Sequence, residues 1–292
     1  MNPAPFTYHK PESLQAAIAL LQEHAEDGKL LAGGHSLLPV MKLRLAQPGH
    51  LIDISGLREL TGVRQVGETL QIGALTVHRD IERDELLARS CPLLPEVAHV
   101  VGDQQVRNRG TIGGALAHAD PAADFPAAIL ALDAQLVARG PDGERAIAAA
   151  DFFLGFLTTA LDPLEVLTEI RVSVASPGEG SNYQKLANQA SGYAIVGVAA
   201  RVRLAKNGEC AAAWIGITGA SDHAVRATSV EEAIAGKRLD ATTIRAAASL
   251  AADGLDLLDD LHASSSYRAG IVRGLTQRAL TTAMERASVS RG

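Results

Sequence analysis

An apolar run between residues 30 and 45, LLAGGHSLLPVMKLRL, is interrupted by two adjacent glycines, a histidine and a serine. Glycine lacks a Cβ atom and adopts backbone conformations closed to other residues, so a regular strand or helix does not continue through Gly33 and Gly34. The chain must turn here, between a short strand and a helical turn that opens at Leu37. Such a turn gathers consecutive backbone N–H groups, which is the geometry of an anion-binding loop.

Ser36 in this loop has three interpretations. The segment GHSLL begins like the G-x-S-x-G elbow of serine hydrolases, but Leu38 stands where that motif needs glycine, and no convincing Asp and His partners follow. The hydroxyl can instead cap the helical turn that follows it. It can also join the N–H groups of the loop in holding phosphate oxygens. The residues alone leave capping and phosphate binding open, with the hydrolase as the remote alternative.

A second glycine pair, Gly113 and Gly114, lies in NRGTIGGALAHADPAAD, residues 108–124, directly after the β-branched Thr111 and Ile112. Two such loops in one domain can hold the two halves of a pyrophosphate. Neither loop has the spacing G-x-G-x-x-G, and the sequence contains no G-x-x-x-x-G-K-[ST]. The sequence therefore excludes the Rossmann and P-loop types of nucleotide site.

Two carboxylates follow the second pair. Asp120 precedes Pro121, which is typical of a helix N-cap and first helical residue, and Asp124 then falls in the first turn. Capping accounts for both residues without any ligand. Because the predicted helix begins beside the glycine loop, both carboxylates can also accept hydrogen bonds from sugar or ribityl hydroxyls.

Length, charge and cysteine content limit the class of protein. A chain of 292 residues favours two domains, and its net charge of -6 argues against nucleic acid, which is bound by clustered Lys and Arg. Cys91 and Cys210 are isolated, so we predict no disulfide framework, no iron–sulfur cluster and no metal site in this chain. The start lacks a signal-peptide pattern, and no apolar stretch approaches about 18 residues. We expect a soluble, cytoplasmic protein without a transmembrane segment.

Hydrophobic periodicity predicts a mixed α+β architecture. A helix is expected in PESLQAAIALLQEHAEDG, with Ser13 as its N-cap and Gly28 just past its end. Two further helices are expected over 77–90 and 92–101. Strands are expected over 29–31, 51–54, 68–77 and 165–174, together with a hairpin over 134–149 that turns at Pro-Asp-Gly.

The segment ASPGEGS, residues 175–181, is short, small and polar, and it predicts a boundary between domains 1–177 and 178–292. Beyond it, two long strands are expected around Asn207-Gly208, a pair that favours a type I′ turn. The pattern becomes helical after about residue 228. The apolar face predicted for the last helix consists of Tyr267, Ile271, Leu275 and Ala279.

The segments AGGHSLLPVMKLRL and GTIGGALAHADPAAD together closely resemble the two FAD loops of the FAD-binding, or medium, subunits of molybdenum hydroxylases, the xanthine dehydrogenase family. Within that family, the carbon monoxide dehydrogenase type is the most similar. The resemblance extends over essentially the whole chain, including FTYHKPESLQAAIALL, LIDIS and the C-terminal hairpin. It implies a vanillyl-alcohol-oxidase, or PCMH-type, FAD-binding domain followed by a smaller C-terminal domain with an antiparallel sheet and helices.

The resemblance also implies which residues contact FAD. Lys185 and Tyr193 match positions close to the isoalloxazine, whereas the residues alone suggest a solvated strand lysine and a packed hairpin tyrosine. Asp124 is expected near the ribityl or ribose hydroxyls. The expected pyrophosphate contacts are Ala32, Gly33, Gly34, His35, Ser36, Thr111, Ile112, Gly113, Gly114 and Ala115. The family usually has Asn where this chain has Ala115, and one lost hydrogen bond, about 0.5–1.5 kcal/mol, does not abolish cofactor binding.

The activity implied by the resemblance is that of an oxidoreductase subunit. Electrons leave the substrate at a molybdenum cofactor in a large subunit, pass through [2Fe-2S] clusters in a small subunit and reach FAD in this chain, in a dimer of heterotrimers. No side chain here is expected to act as a catalytic acid or base, and Tyr193 is expected to shield the isoalloxazine. Carbon monoxide, a purine, an N-heterocycle and an aldehyde remain open as substrates, and the terminal acceptor is open too. A non-redox nucleotide-binding module is the alternative.

Overall fold

The structure is a computed structural model that describes residues 2–290. The strands are β1 (Thr7–His9), β2 (Gly28–Leu31), β3 (His50–Asp53), β4 (Val63–Val66), β5 (Thr69–Gly73), β6 (Gln135–Gly140), β7 (Gly143–Ala148), β8 (Phe153–Gly155), β9 (Thr158–Thr159), β10 (Val166–Ser173), β11 (Glu179–Ala187), β12 (Ala194–Leu204), β13 (Cys210–Thr218) and β14 (Val225–Arg226). The helices are α1 (Leu14–Glu23), α2 (Leu37–Lys42), α3 (His78–Arg83), α4 (Glu85–Ser90), α5 (Leu93–Val100), α6 (Gln104–Arg107), α7 (Ile112–His118), α8 (Phe125–Ala131), α9 (Thr228–Ile234), α10 (Ala241–Ala248) and α11 (Ser265–Ser290).

The N-terminal unit is a three-stranded parallel sheet in the order β1-β3-β2, covered by α1. Ser13 caps α1 as predicted, because its hydroxyl accepts a hydrogen bond from the Ala16 N–H at 3.2 Å. The helix buries an apolar stripe that consists of Leu14, Ala17, Ile18 and Leu21. Strand β2 leads directly into the first glycine pair, so this small sheet sets the direction from which that loop starts.

A five-stranded antiparallel sheet in the order β4-β5-β10-β6-β7 forms the body of the first domain. The predicted hairpin over 134–149 is confirmed, with Pro141 and Asp142 between β6 and β7. The predicted strand 165–174 is the central strand β10, whose residues are almost all buried. Strand β4 was not predicted from the sequence, and its partial exposure explains the weak alternation of its side chains.

The helical segments between β5 and β6 differ in two places from the prediction. The single helix expected over 77–90 is two helices, because Asp84 has an extended backbone and its carboxylate accepts from the Leu87 N–H at 2.8 Å, starting α4. The helix expected at Pro121 begins instead at Phe125, because Asp120 accepts from the Ala122 N–H at 2.8 Å and closes a turn. The expectation of a helix over 92–101 is confirmed by α5.

The second domain is an antiparallel sheet in the order β11-β12-β13-β14, against which α11 packs. The predicted hairpin of β12 and β13 is present, but the type I′ turn is wrong: Gly208 has a positive φ of 84°, whereas Asn207 does not. The Asn207 side chain instead accepts from the Glu209 N–H at 3.1 Å. The predicted apolar face of α11 is correct at Leu275 and Ala279 and wrong at Tyr267, which is 51% exposed.

Residues of the second domain form hydrogen bonds with backbone carbonyls of the segment that precedes α8 in the first domain. The Thr218 hydroxyl lies 2.7 Å from the Pro121 carbonyl and 2.8 Å from the Ala123 carbonyl, and the Gly219 N–H donates to Pro121 at 2.6 Å. At Gly216 a Cβ atom would lie 2.1 Å from the Ala127 carbonyl, so only glycine permits this approach. The second domain is therefore held against the segment that carries Asp120 and Asp124. Across residues 2–290, no helix combines the length and apolar character that crossing a membrane requires.

Candidate cofactor site

The first glycine loop, residues 32–36, presents a run of unpaired backbone donors. In the part of the chain that the structure describes, the N–H groups of residues 33 to 37 donate to no protein acceptor. Gly34 has a φ of 78°, which turns the chain at the start of α2. Ser36 occupies the N-cap position of α2, yet its hydroxyl makes no capping hydrogen bond, so the capping interpretation of Ser36 is wrong. Five consecutive free donors form the concavity that an anion fills.

The two glycine loops lie against each other, as the sequence predicts. A Cβ atom on Gly33 would lie 2.2 Å from the Arg109 carbonyl oxygen, so the first loop packs on the backbone that leads into the second. A Cβ atom on Gly114 would lie 3.8 Å from the Ala32 Cβ. Glycine at position 33 thus allows the two loops to approach, which is a different role from the turn at Gly34.

The second glycine loop, residues 111–115, uses its N–H groups within the protein. Thr111 caps α7 by accepting from the Gly114 N–H at 3.1 Å, and the Ile112 and Gly113 N–H groups donate to the carbonyls of Thr76 and Ala74. The Ala115 N–H donates to the Thr111 carbonyl at 3.0 Å. This loop therefore offers a ligand its surface and its Ala115 side chain rather than free N–H groups. Its contact with the cofactor stays a prediction.

His78, which the sequence analysis did not single out, lies beneath the loops. It is 4% exposed, its ring stacks on Phe125 at 4.9 Å between centroids, and a Cβ on Gly110 would lie 2.9 Å from the ring. Burial lowers the pKa of His78 to about 4, helped by the charges of His35 and Arg107. Nδ1 has no hydrogen-bond partner within residues 2–290. A neutral, buried imidazole with a free nitrogen beside the loops is a group that a bound molecule can satisfy.

Asp124, Tyr183 and Lys185 form a buried polar cluster at the domain contact. The Tyr183 hydroxyl donates to Asp124 Oδ1 at 2.7 Å, and Lys185 Nζ donates to Oδ2 at 2.8 Å and to the Val100 carbonyl at 3.1 Å. The predicted capping role of Asp124 is wrong, because its side chain makes no bond to the start of α8. The interpretation of Lys185 as a solvated strand lysine is also wrong, since its side chain is 6% exposed.

The charges of this cluster influence one another. Burial raises the pKa of Asp124, and Lys185 and Tyr183 oppose that rise. Burial also raises the pKa of Tyr183 well above its ordinary value, with a further contribution from Asp124. The cluster therefore contains a carboxyl group whose ionised form depends on Lys185.

Tyr193 reaches the first loop from the second domain. It follows a turn in which Asn188 Oδ1 accepts from the N–H groups of Ala190 and Ser191, and it is 42% exposed. Burial, followed by the charges of Asp120 and Asp124, raises the pKa of Tyr193, and an interaction with the Ser36 side chain opposes that rise. Ser36, Asp120 and Asp124 thus lie near enough to Tyr193 to influence its hydroxyl group.

The first domain thus presents free N–H groups and a buried imidazole at the contact with a second domain, and the residues fit a bound pyrophosphate. The fold and the site define a two-domain protein that holds a phosphate-bearing cofactor in its first domain. Residues 4–174 match the family model described as FAD binding domain in molybdopterin dehydrogenase, and residues 181–283 match the CO dehydrogenase flavoprotein C-terminal domain. The chain belongs to this family of FAD-binding molybdopterin dehydrogenase subunits.

Relatives and solved structures show the same two-domain chain. The carbon monoxide dehydrogenase medium chain of Hydrogenophaga pseudoflava is 41% identical over 98% of this chain and 99% of its own length. The 6-hydroxypseudooxynicotine dehydrogenase complex subunit alpha of Paenarthrobacter nicotinovorans is 36% identical over 98% and 97%. A carbon monoxide dehydrogenase structure from Hydrogenophaga pseudoflava superposes with a TM-score of 0.95, at 42% identity, covering 98% of this chain and 99% of that one. The expected two-domain fold is confirmed, while the boundary at residues 177 and 178 stays a prediction.

Proposed function

We propose that this chain is the FAD-carrying electron-transfer subunit of a heteromeric molybdenum hydroxylase of the carbon monoxide dehydrogenase type. The family membership makes the chain an oxidoreductase subunit with FAD as its cofactor. The run of five unpaired N–H groups at residues 33–37 is the observation that carries the proposal. These donors lie where the first domain meets the second, which is where a dinucleotide contacts both.

Each group of residues has a defined part in holding the cofactor. The N–H groups of residues 33–37 and the Ser36 hydroxyl hold the phosphates, and the surface of residues 111–115 packs beside them. Lys185 supplies a positive charge that Asp124 keeps in place, and Tyr193 covers the isoalloxazine. The bound flavin supplies the electron-accepting chemistry, while the protein supplies position, charge and shielding. No side chain of this chain acts on the organic or gaseous substrate.

The electrons reach the flavin from partner subunits. Cys91 and Cys210 are buried and unpaired, and burial raises the pKa of Cys91 to about 12 and that of Cys210 to about 11. A [2Fe-2S] cluster needs four thiolate ligands, and two isolated cysteines do not supply them. We assign the [2Fe-2S] clusters to a small subunit and the molybdenum cofactor to a large subunit, in a dimer of heterotrimers. Two reduced, buried cysteines also support a cytoplasmic location.

The substrate is selected in the large subunit. This agrees with the similar sequence identities between this chain and relatives that are named for different substrates. Relatives named for carbon monoxide, for 6-hydroxypseudooxynicotine and for glyceraldehyde are 41%, 36% and 37% identical to this chain. These values support the shared subunit role and do not separate the substrates. The 41% relative favours carbon monoxide as the first substrate to test.

Isolation of the chain with its copurifying subunits tests the proposal. In the whole complex, anaerobic addition of the correct substrate among carbon monoxide, glyceraldehyde and 6-hydroxypseudooxynicotine is expected to bleach the flavin absorption, whereas the isolated chain stays unreduced. A chain that copurifies with no partner and binds a nucleotide without flavin would instead support the non-redox module. The comparisons support the electron-transfer subunit over that alternative.

A further inference from the structure

Three histidines converge in the N-terminal unit, away from the glycine loops. His9 ends β1, His24 is the C-cap residue of α1 and His50 begins β3. Strands β1 and β3 are parallel neighbours, and α1 returns the chain to the same edge of the sheet. The His24 and His50 rings stack with their centroids 3.5 Å apart, and the His9 ring lies 5.1 Å from each of them.

Most of the ring nitrogens in this histidine cluster make no hydrogen bond within residues 2–290, so their lone pairs or N–H groups are unpaired. His9 Nε2 and His50 Nδ1 lie 2.9 Å apart and share one hydrogen bond. Within residues 2–290, the other ring nitrogens of the three histidines have no hydrogen-bond partner. The Glu23 carboxylate lies 3.9 Å from His24 Nε2, too far for a hydrogen bond but near enough to reach the cluster. The three side chains are half-buried, so these groups are neither fully solvated nor satisfied by the protein.

We propose that His9, His24 and His50 bind one zinc ion. One nitrogen from each ring lies within 4.8 Å of the others. Three imidazoles that leave a fourth position for a carboxylate or water are a recognised zinc donor set, and imidazole also binds Co²⁺ and Ni²⁺. No metal site was expected from the isolated cysteines, and the three histidines gave no signal because they are distant in sequence and form no metal-binding motif.

Zinc binding requires a small side-chain movement. Tetrahedral zinc with Zn–N distances of about 2.0–2.1 Å places its ligand nitrogens about 3.4 Å apart, so no separation within 4.8 Å has to shorten by more than about 1.4 Å. Rotation of the His24 ring off the face of His50 supplies this movement. When the ion binds, the proton that His9 Nε2 and His50 Nδ1 share moves to the other nitrogen of the ring that carries it, so that both nitrogens act as ligands and both imidazoles stay neutral. Glu23 takes the fourth position, with water as the other occupant.

The ion would join three elements that support the first glycine loop. Strand β2 pairs with β3 and leads into Gly33, so a link between β1, β3 and the end of α1 stabilises the sheet from which the loop begins. Zinc that binds only the folded chain raises the temperature of unfolding in proportion to the logarithm of its concentration. The site is structural, and it takes no part in electron transfer.

Zinc titration of the tag-free, FAD-loaded full chain, after removal of metal with a chelator, tests this inference. We expect one zinc per chain by calorimetry, and visible absorption bands of four-coordinate Co²⁺ when Co²⁺ replaces it. His24→Gln should weaken binding at least about 10-fold and remove the Co²⁺ bands, as second-shell changes alone already produce that factor. Glu23→Gln should also weaken binding, by less than His24→Gln does, because water can replace the carboxylate; an unchanged affinity would show that Glu23 is not the fourth ligand.

Two controls decide the result. His223→Gln removes a histidine that pairs with Asp222 in the second domain, and it should leave the stoichiometry at one. Far-UV circular dichroism confirms that each variant is folded. Absence of saturable zinc binding in the wild type, or equal binding by wild type and His24→Gln, would overturn the inference. FAD content stays at one per chain in either case, so the outcome is independent of the proposed function.

Discussion

Lys185 Nζ lies 2.8 Å from Asp124 Oδ2, which joins strand β11 of the second domain to the residue that precedes α8 in the first. Both side chains are almost fully buried, at 6% and 5% exposure. An ion pair in such a position is weak support for stability, but removal of one partner leaves the other charge buried and unpaired. The pair therefore joins the two domains through a buried charge that lies among the residues proposed for the flavin site.

Replacement of Lys185 should destabilise the protein in a pH-dependent way. Lys185→Met leaves Asp124 without its cation, and the expected loss is about 3–5 kcal/mol at pH 8. Burial already raises the pKa of Asp124, and loss of Lys185 raises it further, so the folded chain takes up the proton at a higher pH than the unfolded chain. The destabilisation should shrink as the pH falls through the folded pKa.

Denaturant unfolding at pH 8 and pH 5 measures this effect. The double variant Asp124→Asn with Lys185→Met should regain part of the stability at pH 8, because no unpaired charge remains. Equal destabilisation by Lys185→Met at both pH values would contradict an ionised, buried Asp124.

Substitutions of the glycines in the two loops should have different effects on FAD content and on thermal stability. Gly33→Ala places a Cβ atom 2.2 Å from the Arg109 carbonyl and separates the loops, so FAD content should fall while the fold is retained. Gly113→Ala places a Cβ atom 2.5 Å from the Ala74 Cβ, which should lower the unfolding temperature as well. Gly34→Val should lose FAD because a φ of 78° is strained for a branched residue.

FAD content and thermal unfolding of each variant separate these effects. Gly270→Ala is the control, because a Cβ atom there meets nothing within 4 Å and alanine favours the helix. It should keep full FAD content and unfold at the same or a slightly higher temperature. Normal FAD content in both Gly33→Ala and Gly34→Val would refute the role of the first loop.

His78 should make stability depend on pH between 6.5 and 4. Its pKa is lowered from 6.5 to about 4 in the folded chain, so in this interval the unfolded chain binds a proton that the folded chain does not. Stability should fall as the pH decreases across the interval, by about 3 kcal/mol from this group. His78→Asn removes the titrating group, and its unfolding free energy should change less between pH 7 and pH 4.5. If the unfolding free energies of the wild type and of His78→Asn changed equally between pH 7 and pH 4.5, the lowered pKa of His78 in the folded chain would be refuted.

Ser36 and Tyr193 should affect the cofactor differently. Ser36→Ala removes one hydroxyl among many N–H donors and should weaken FAD binding by about 0.5–1.5 kcal/mol, roughly 2- to 12-fold, with no change in ester hydrolysis. Tyr193→Phe should shift the flavin reduction potential and reoxidation rate. Tyr267→Phe, on an exposed part of α11, is the matched control and should change neither. An unchanged potential and rate in Tyr193→Phe would refute the shielding role.

The sequence predicted those structural elements that depend on residues close together in the chain, such as a helix cap or a hairpin turn. Ser13 and the Pro141-Asp142 turn act on their immediate neighbours, and each was found as expected. The predicted helix start at Asp120 was wrong because its side chain accepts from the Ala122 N–H and closes a turn. The second domain donates hydrogen bonds to the Pro121 and Ala122 carbonyls of the same segment. Local patterns do not contain that information.

The parts of the site that were missed depend on distant contacts. His78 follows an alternating strand and has no motif, and its functional interest comes from burial against Phe125 and Gly110. Tyr183 was missed because its partner Asp124 is 59 residues away. The second glycine loop was found correctly as a neighbour of the first, but its N–H groups were expected to face a ligand, and protein carbonyls take them instead. Contacts between residues that are distant in the sequence decided each case, and a single sequence does not display them.

The FAD content of the purified wild-type chain tests the account most directly. The free N–H groups of residues 33–37 and the family membership predict one FAD per chain, with flavin absorption bands that bleach under dithionite. Gly33→Ala should retain well under half of this content while its circular dichroism spectrum stays unchanged. A colourless wild-type chain that cannot be reconstituted with FAD would contradict the account.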